Sequence, residues 1–186
     1  MSETGVDEIA FKRLLKRITS AKVDSIGVLG STGCYVYLSR EERLRVIQLA
    51  VEHSEGIPIV IGISALRTRD VLHLAEDAQK AGANGVLLAP VSYQQLTDAE
   101  VYSLYEMVAK SLSVPLCVYD NPTTTHFRFS DELHGKIAGL QQVRSIKIPE
   151  VPKELETAKE RVKQLRAHLP SDVTIGVSGV LMVQWA

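Results

Sequence analysis

Three short runs carry residue types that can do chemistry at spacings that put them on strand ends. Lys147 ends the run Val143-Arg144-Ser145-Ile146-Lys147, which reads as a buried strand. An ammonium at the tip of an apolar strand loses water, and desolvation favours the free amine. A free amine attacks a ketone or aldehyde and forms a Schiff base. The structural alternative is a strand-end lysine whose head reaches solvent. Taken alone, Lys147 fits that alternative better. Tyr119 closes a second run, Leu116-Cys117-Val118-Tyr119, and a phenol there can relay a proton. A lone tyrosine is more often a core residue with a satisfied hydroxyl. The third run ends in Gly30-Ser31-Thr32-Gly33, where glycines permit close backbone approach and hydroxyls can hold a small carboxylate or phosphate. By itself it reads as a strand-to-helix turn. Together, Lys147, Tyr119, Ser31 and Thr32 fall at the same ends of parallel strands, and that convergence favours chemistry.

Other candidates are weaker. Cys34 has no histidine close in sequence and reads as a small loop residue. His126 can bind an anionic group beyond Thr124 and Thr125, or be an ordinary loop histidine. Glu150, Glu154, Glu156, Lys159, Glu160 and Lys163 read as a solvated helix face. No cluster has metal-ligand spacing, so no metal is expected. The loop is not G-x-G-x-x-G, which argues against a dinucleotide.

These residues need strands and helices to hold them. Residues 7 to 21 read as a helix with Phe11, Leu14, Leu15 and Ile18 on one buried stripe. Ser25 to Leu29 is a strand. A helix opens at the Ser39/Glu42 capping box, with Leu44, Ile47 and Val51 inside. Ile57 to Ile63 is a strand covered on both faces. Val71, Leu74, Ala75 and Ala78 mark a helix ending near Gly82. Gly85 to Leu88 is a strand, and Thr97/Glu100 caps a helix lined by Val101, Leu104, Tyr105 and Val108. The strand Val114 to Tyr119 stops at Asn121-Pro122, and a helix around Ser130 to Ile137 leads to the Lys147 strand. Leu155, Ala158, Val162 and Leu165 define a charged-faced helix, Val173 to Val177 is the last strand, and the tail from Val180 to Ala186 is apolar. Strand and helix alternate at roughly thirty residues, the size of a βαβ step. An open doubly wound sheet and a (β/α)₈ barrel both fit this periodicity.

The motifs settle on one resemblance. Gly30-Ser31-Thr32-Gly33, Tyr119-Asp120-Asn121-Pro122 and Ser145-Ile146-Lys147 match, in order and spacing, the dihydrodipicolinate synthase/N-acetylneuraminate lyase family. Leu38-Ser39-Arg40-Glu41-Glu42 and Pro58-Ile59-Val60-Ile61-Gly62 extend the likeness over essentially the whole chain. The resemblance implies a (β/α)₈ barrel and a cofactor-free class I aldolase or lyase acting on pyruvate or other 2-oxo acids. By that likeness Lys147 forms the imine, and Tyr119 shuttles protons. Ser31, Thr32 and Gly33 hold the 2-oxo acid carboxylate, and Thr32 also passes a proton to Tyr119. Several positions depart from the family. Thr124 replaces the arginine that binds the aldehyde's carboxylate in the synthases, so the bidentate clamp is missing. That argues against dihydrodipicolinate synthesis and leaves Thr124 as the substrate-facing residue at that place. Cys34 replaces a glutamate, and Asp120 replaces an asparagine. The tyrosine that a neighbouring subunit contributes falls near Ser92 or Tyr93. The pattern resembles a branch handling sugar-derived or hydroxylated 2-oxo acids.

The chain has 186 residues and a formal net charge of −1, which suggests a single domain without a nucleic-acid footprint. No apolar run is long enough for a membrane span, and the start is polar rather than leader-like. With Cys34 and Cys117 alone, a reducing cytoplasm fits best. The expected fold is one partial (β/α)₈ domain over residues 1–186, lacking the first strand, the eighth strand and the C-terminal helices. Open strand edges predict poor stability and homo-oligomerisation or other self-association. The expected function is a Schiff-base lyase or aldolase. The alternative is a catalytically inactive truncated barrel serving as a structural or interaction module. A doubly wound nucleotide-binding protein is third.

Overall fold

The computed structural model describes residues 5–149 and 151–178. The polar start, Glu150 and the apolar tail named above lie outside the described residues. Among the described residues six strands form one parallel sheet: β1 (Ile26–Val28), β2 (Ile59–Gly62), β3 (Gly85–Leu88), β4 (Leu116–Tyr119), β5 (Val143–Ile148) and β6 (Thr174–Val177). Each strand pairs with the next in chain order. A doubly wound sheet must reverse its strand order at a switch point, and this one does not. The sheet is the curled wall of an incomplete (β/α) barrel.

Helices α1 (Glu8–Ser20), α2 (Arg40–Glu52), α3 (Thr68–Lys80), α4 (Asp98–Ser111), α6 (Asp131–Ala138) and α7 (Leu155–Arg166) alternate with the strands, and α5 (Pro122–Thr125) is a single short turn after β4. The side of the sheet toward the helices is dry: Ile59, Ile61, Val86, Leu88, Leu116, Val118, Ile146 and Ile148 are buried there. The opposite, barrel-interior side carries Gly27, Val60, Leu87, Cys117, Tyr119, Ser145 and Lys147, as the shared registers require. Both expected capping boxes form, Ser39 with Glu42 and Thr97 with Glu100. Gly82 follows α3 at φ +92°, the left-handed geometry that ends a helix.

Three face assignments change. Leu14 is 43% exposed because it lines a cavity beside β1 rather than packing on the sheet. Leu155 is 64% exposed at the first turn of α7, leaving Leu165 as that helix's buried anchor. The buried residues of α2 are Arg43, Val46, Ile47, Leu49 and Ala50, with Leu44 and Val51 at the margins. Arg43 is buried because its guanidinium has partners there. It donates to the carbonyls of Ser64 (2.9 Å) and Leu38 (3.3 Å), and lies 5.0 Å from the centroid of the Tyr35 ring. It thereby fastens the loop after β1 to the end of β2.

That loop enters the barrel mouth through one close approach. Leu29 adopts a left-handed backbone at φ 59°, turning the chain at the end of β1. Its carbonyl oxygen then comes so near Gly62 of β2 that a Cβ there would lie 2.0 Å away. Two 3₁₀ turns follow, Ser31–Gly33 and Tyr35–Tyr37. Gly62→Ala should therefore force the 30–33 loop off the sheet and destabilise the fold, at the upper end of about 1–3 kcal/mol. Gly27→Ala is the control, because nothing lies within 4 Å of its Cβ position. Urea unfolding of the two variants checks this, and equal midpoints would remove the steric argument.

Candidate active site

The site depends on an irregularity between β4 and β5. Leu116 pairs with Val143, but the next residue, Cys117, pairs with Ser145. One step on β4 thus answers two on β5, and Arg144 is the extra residue. Strand side chains alternate, so one inserted residue moves everything beyond it to the other face. Val143 points to the helices, as do Ile146 and Ile148, while Ser145 and Lys147 turn into the barrel. Tyr119 then faces Lys147 directly in register. The Lys147 ammonium nitrogen sits 4.5 Å from the centroid of the Tyr119 ring. Lys147 is half-buried, so the drying expected at a strand tip is partial. The strand also runs one residue further, to Ile148.

A cavity of about 540 Å³ opens beside this pair. Gly30, Ser31, Thr32 and Gly33 line it with Tyr119 and Lys147, and Leu15, Val28 and Leu87 are among its apolar walls. Ser31 and Thr32 play different geometric parts. Asn121 Nδ2 donates to the Tyr119 hydroxyl at 3.0 Å and to Ser31 Oγ at 3.2 Å, so Ser31 is the loop residue tied to the phenol. Thr32 is exposed at the mouth. Thr124 is exposed on α5, its hydroxyl donating to the Asn121 carbonyl at 3.3 Å, and it is not among the cavity's lining residues. The sequence reading gave Asn121 no role of its own, taking it as part of a strand break and of the Tyr119-Asp120-Asn121-Pro122 motif. Its position two residues beyond Tyr119 is the signal that was available. Cys117 lies one layer below Tyr119. Burial pushes its thiol up, opposed by a hydrogen bond with Ser145 and by the charge of Lys147. Among the described residues no three histidine, cysteine or acidic side chains gather as a metal site.

Behind the site, Asp120 points to the helix side while its backbone N–H donates to the Lys147 carbonyl at 2.9 Å. Its carboxyl is 6% exposed, and Oδ2 lies 3.5 Å from Nε2 of the fully buried His134 on α6. Phe129 stacks on that imidazole with ring centroids 4.8 Å apart. Neither Asp120 Oδ1 nor either His134 nitrogen has a hydrogen-bond partner among the described residues. Burial drives both groups toward neutrality. It lifts Asp120 to about 6, against the opposing pull of Arg161 and Arg128, and lowers His134 to about 4. The fold consequently holds the Asp120 proton more tightly than the unfolded chain does. This contribution is full below the ordinary 3.8 and is lost as pH rises through about 6. His134 contributes in the opposite sense: its share is present above 6.5 and is lost as pH falls through about 4. Asp120→Asn removes only the first effect. Its stability relative to the parent should rise between about pH 4 and pH 7, by on the order of 1–3 kcal/mol. Urea unfolding at the two pH values measures this, and a pH-independent difference would show that the carboxyl is not held neutral.

Comparison with known proteins identifies the family of the chain. Residues 1–175 match the model of the dihydrodipicolinate synthetase family. A 4-hydroxy-tetrahydrodipicolinate synthase of Syntrophobacter fumaroxidans is 31% identical over 143 residues, which are 76% of this chain and 49% of that protein. The protein of the same name from Rickettsia rickettsii is 30% identical over 171 residues, 91% of this chain and 56% of its own. The crystal structure of dihydrodipicolinate synthase from Agrobacterium tumefaciens matches with a TM-score of 0.88 and 46% identity, covering 95% of this chain and 59% of that one. The chain spans about half the length of the curated relatives it matches. With a family model matched across residues 1–175 and a barrel wall shared with a solved synthase, the chain belongs to the dihydrodipicolinate synthetase family.

Proposed function

We propose that the chain carries the imine-forming centre of a class I lyase or aldolase acting on pyruvate or a related 2-oxo acid. The observation that carries this reading is the Lys147 amine over the Tyr119 ring, at the ends of adjacent strands and facing a cavity with a hydroxyl-bearing loop. As the free base, the amine adds to the ketone carbon, and loss of water leaves an imine. The imine withdraws electrons, so a proton leaves the neighbouring carbon and an enamine forms. That carbon then bonds to an aldehyde, or the reverse step breaks the same bond. Tyr119 moves the protons. Ser31, Thr32 and Gly33 receive the carboxylate, with Ser31 tied to Tyr119 through Asn121 and Thr32 at the mouth.

The curated relatives are named for the synthase, and those names give no support to excluding its reaction here. The exclusion rests on Thr124, which offers no cationic clamp for a second carboxylate. We therefore keep sugar-derived or hydroxylated 2-oxo acids as the favoured substrates. Tyr93, 91% exposed, and Val36, Tyr37 and Leu66, also exposed, lie on the loops beyond β1, β2 and β3 and support association with a second copy. No helix among the described residues is long and apolar enough to cross a membrane. Cys34 and Cys117 are free thiols, and we retain the cytoplasm as the proposed location.

Incubation with pyruvate and borohydride should add one reduced pyruvyl group, mapped to Lys147, and Lys147→Ala should abolish it. Tyr119→Phe should keep the label yet slow turnover by about 10²–10⁴-fold. Label confined to other lysines, or none on the folded chain, would favour the inactive-module alternative. Among aldol acceptors and cleavage substrates, hydroxylated 2-oxo acids should outperform condensation with aspartate semialdehyde. Efficient semialdehyde condensation would show that Thr124 does not decide the branch.

A further inference from the structure

Asn121 is held more firmly than its neighbours in the loop require. Its backbone carbonyl accepts the N–H groups of Thr124 (3.1 Å) and Thr125 (3.0 Å), as well as the hydroxyls of Thr125 (3.0 Å) and Thr124 (3.3 Å). Thr125 is itself buried and accepts the Phe127 N–H at 3.3 Å. Thr124 and Thr125 thus supply the donors that pin the residue at the start of α5. Upstream, the Asp120 N–H is fixed to the Lys147 carbonyl. With the main chain tied on both sides, the half-buried amide reaches across the mouth to two oxygens from distant parts of the chain, Tyr119 OH and Ser31 Oγ.

We propose that Asn121 is a positioning residue of the Lys147 centre: its amide fixes the Tyr119 and Ser31 hydroxyls as a pair of donors aimed at the substrate. This rests on the imine reading above. An amide N–H given to each hydroxyl oxygen leaves both hydroxyl protons free to point into the cavity. When Tyr119 gives up its proton, the same N–H remains on its oxygen and stabilises the charge that develops. The amide has no acid–base capacity near neutral pH. Asn121 therefore orients the two hydroxyls without carrying a proton between Ser31 and Tyr119, and the proton of the C3 step moves on Tyr119 itself. Thr124 and Thr125 serve the site through Asn121.

The test uses the full chain with pyruvate and reads two rates: trapping of the Lys147 imine by borohydride, and exchange of the methyl protons of pyruvate in D₂O. Asn121→Ala should leave trapping within about twofold of the parent while exchange falls roughly ten- to a hundredfold. Asn121→Asp keeps the shape but loses the N–H donors, and should fall as far. Asn121→Gln keeps the donors on a longer arm and should recover part of the loss. Exchange at the parental rate in both Asn121→Ala and Asn121→Asp would overturn the inference. Equal losses of trapping and exchange, or a melting point far below the parent's, would make Asn121 a structural support and overturn it as well. Label on Lys147 with unaltered exchange in the variants sinks this inference alone. Failure to label Lys147 in the parent chain sinks the imine reading, and this inference with it.

Discussion

One inserted residue sets which side chains of β5 face the barrel interior. A regular strand from Val143 would send Val143, Ser145 and Lys147 to the same side, into the helix layer. Arg144 takes up the extra step opposite the Leu116–Cys117 bond, and the alternation resumes one residue out of phase. Ile146 and Ile148 then occupy the dry layer and Lys147 the barrel interior. The hydrophobic demand of two isoleucines and the placement of the lysine are one constraint. Neither can be met on the wrong face without burying an ammonium among apolar side chains, which costs far more than the ~1–3 kcal/mol of an unpaired neutral polar group.

A second constraint brings the 30–33 loop to that lysine. β1 and β4 are not neighbours, so the hydroxyls of Ser31 and Tyr119 meet only because the chain turns inward at Leu29 over the bare Cα of Gly62. Arg43 holds the outer end of the same loop through the Leu38 and Ser64 carbonyls, and Asn121 holds the inner end through Ser31. The loop is thereby clamped from both sides while Thr32 stays exposed.

Asp120 shows how a residue can matter to the site from the opposite face. Its neighbours in sequence are Tyr119 and Asn121, both turned to the cavity, while its own carboxyl is packed against His134 with Arg161, Arg128 and Asp131 nearby. Tyr105 on α4 sits in the same layer, with its hydroxyl on the Leu88 carbonyl. Burial lifts the phenol well above its ordinary range. Burial thus shifts the two groups of the Asp120–His134 contact in opposite directions, the carboxyl up and the imidazole down.

The amino-acid sequence determined the alternation of strands and helices, both capping boxes, the stop at Gly82 and the three runs that bear the chemistry, because each depends on local periodicity or on a residue type at a strand end. Periodicity could not distinguish an open sheet from a barrel; strand order did, and strand order is a long-range property. It also placed Arg43 on the inner face of α2, where a carbonyl-lined pocket accepts a guanidinium that pattern reading assigns to solvent. Leu14 and Leu155 erred the other way, since a helix stripe is buried only where another element covers it. The division of labour between Ser31 and Thr32, the distance of Thr124 from the cavity and the reach of Asn121 were decided by tertiary structure alone. Each turns on which residues a loop and a short helical turn bring together across ninety positions of chain, from Ser31 to Asn121.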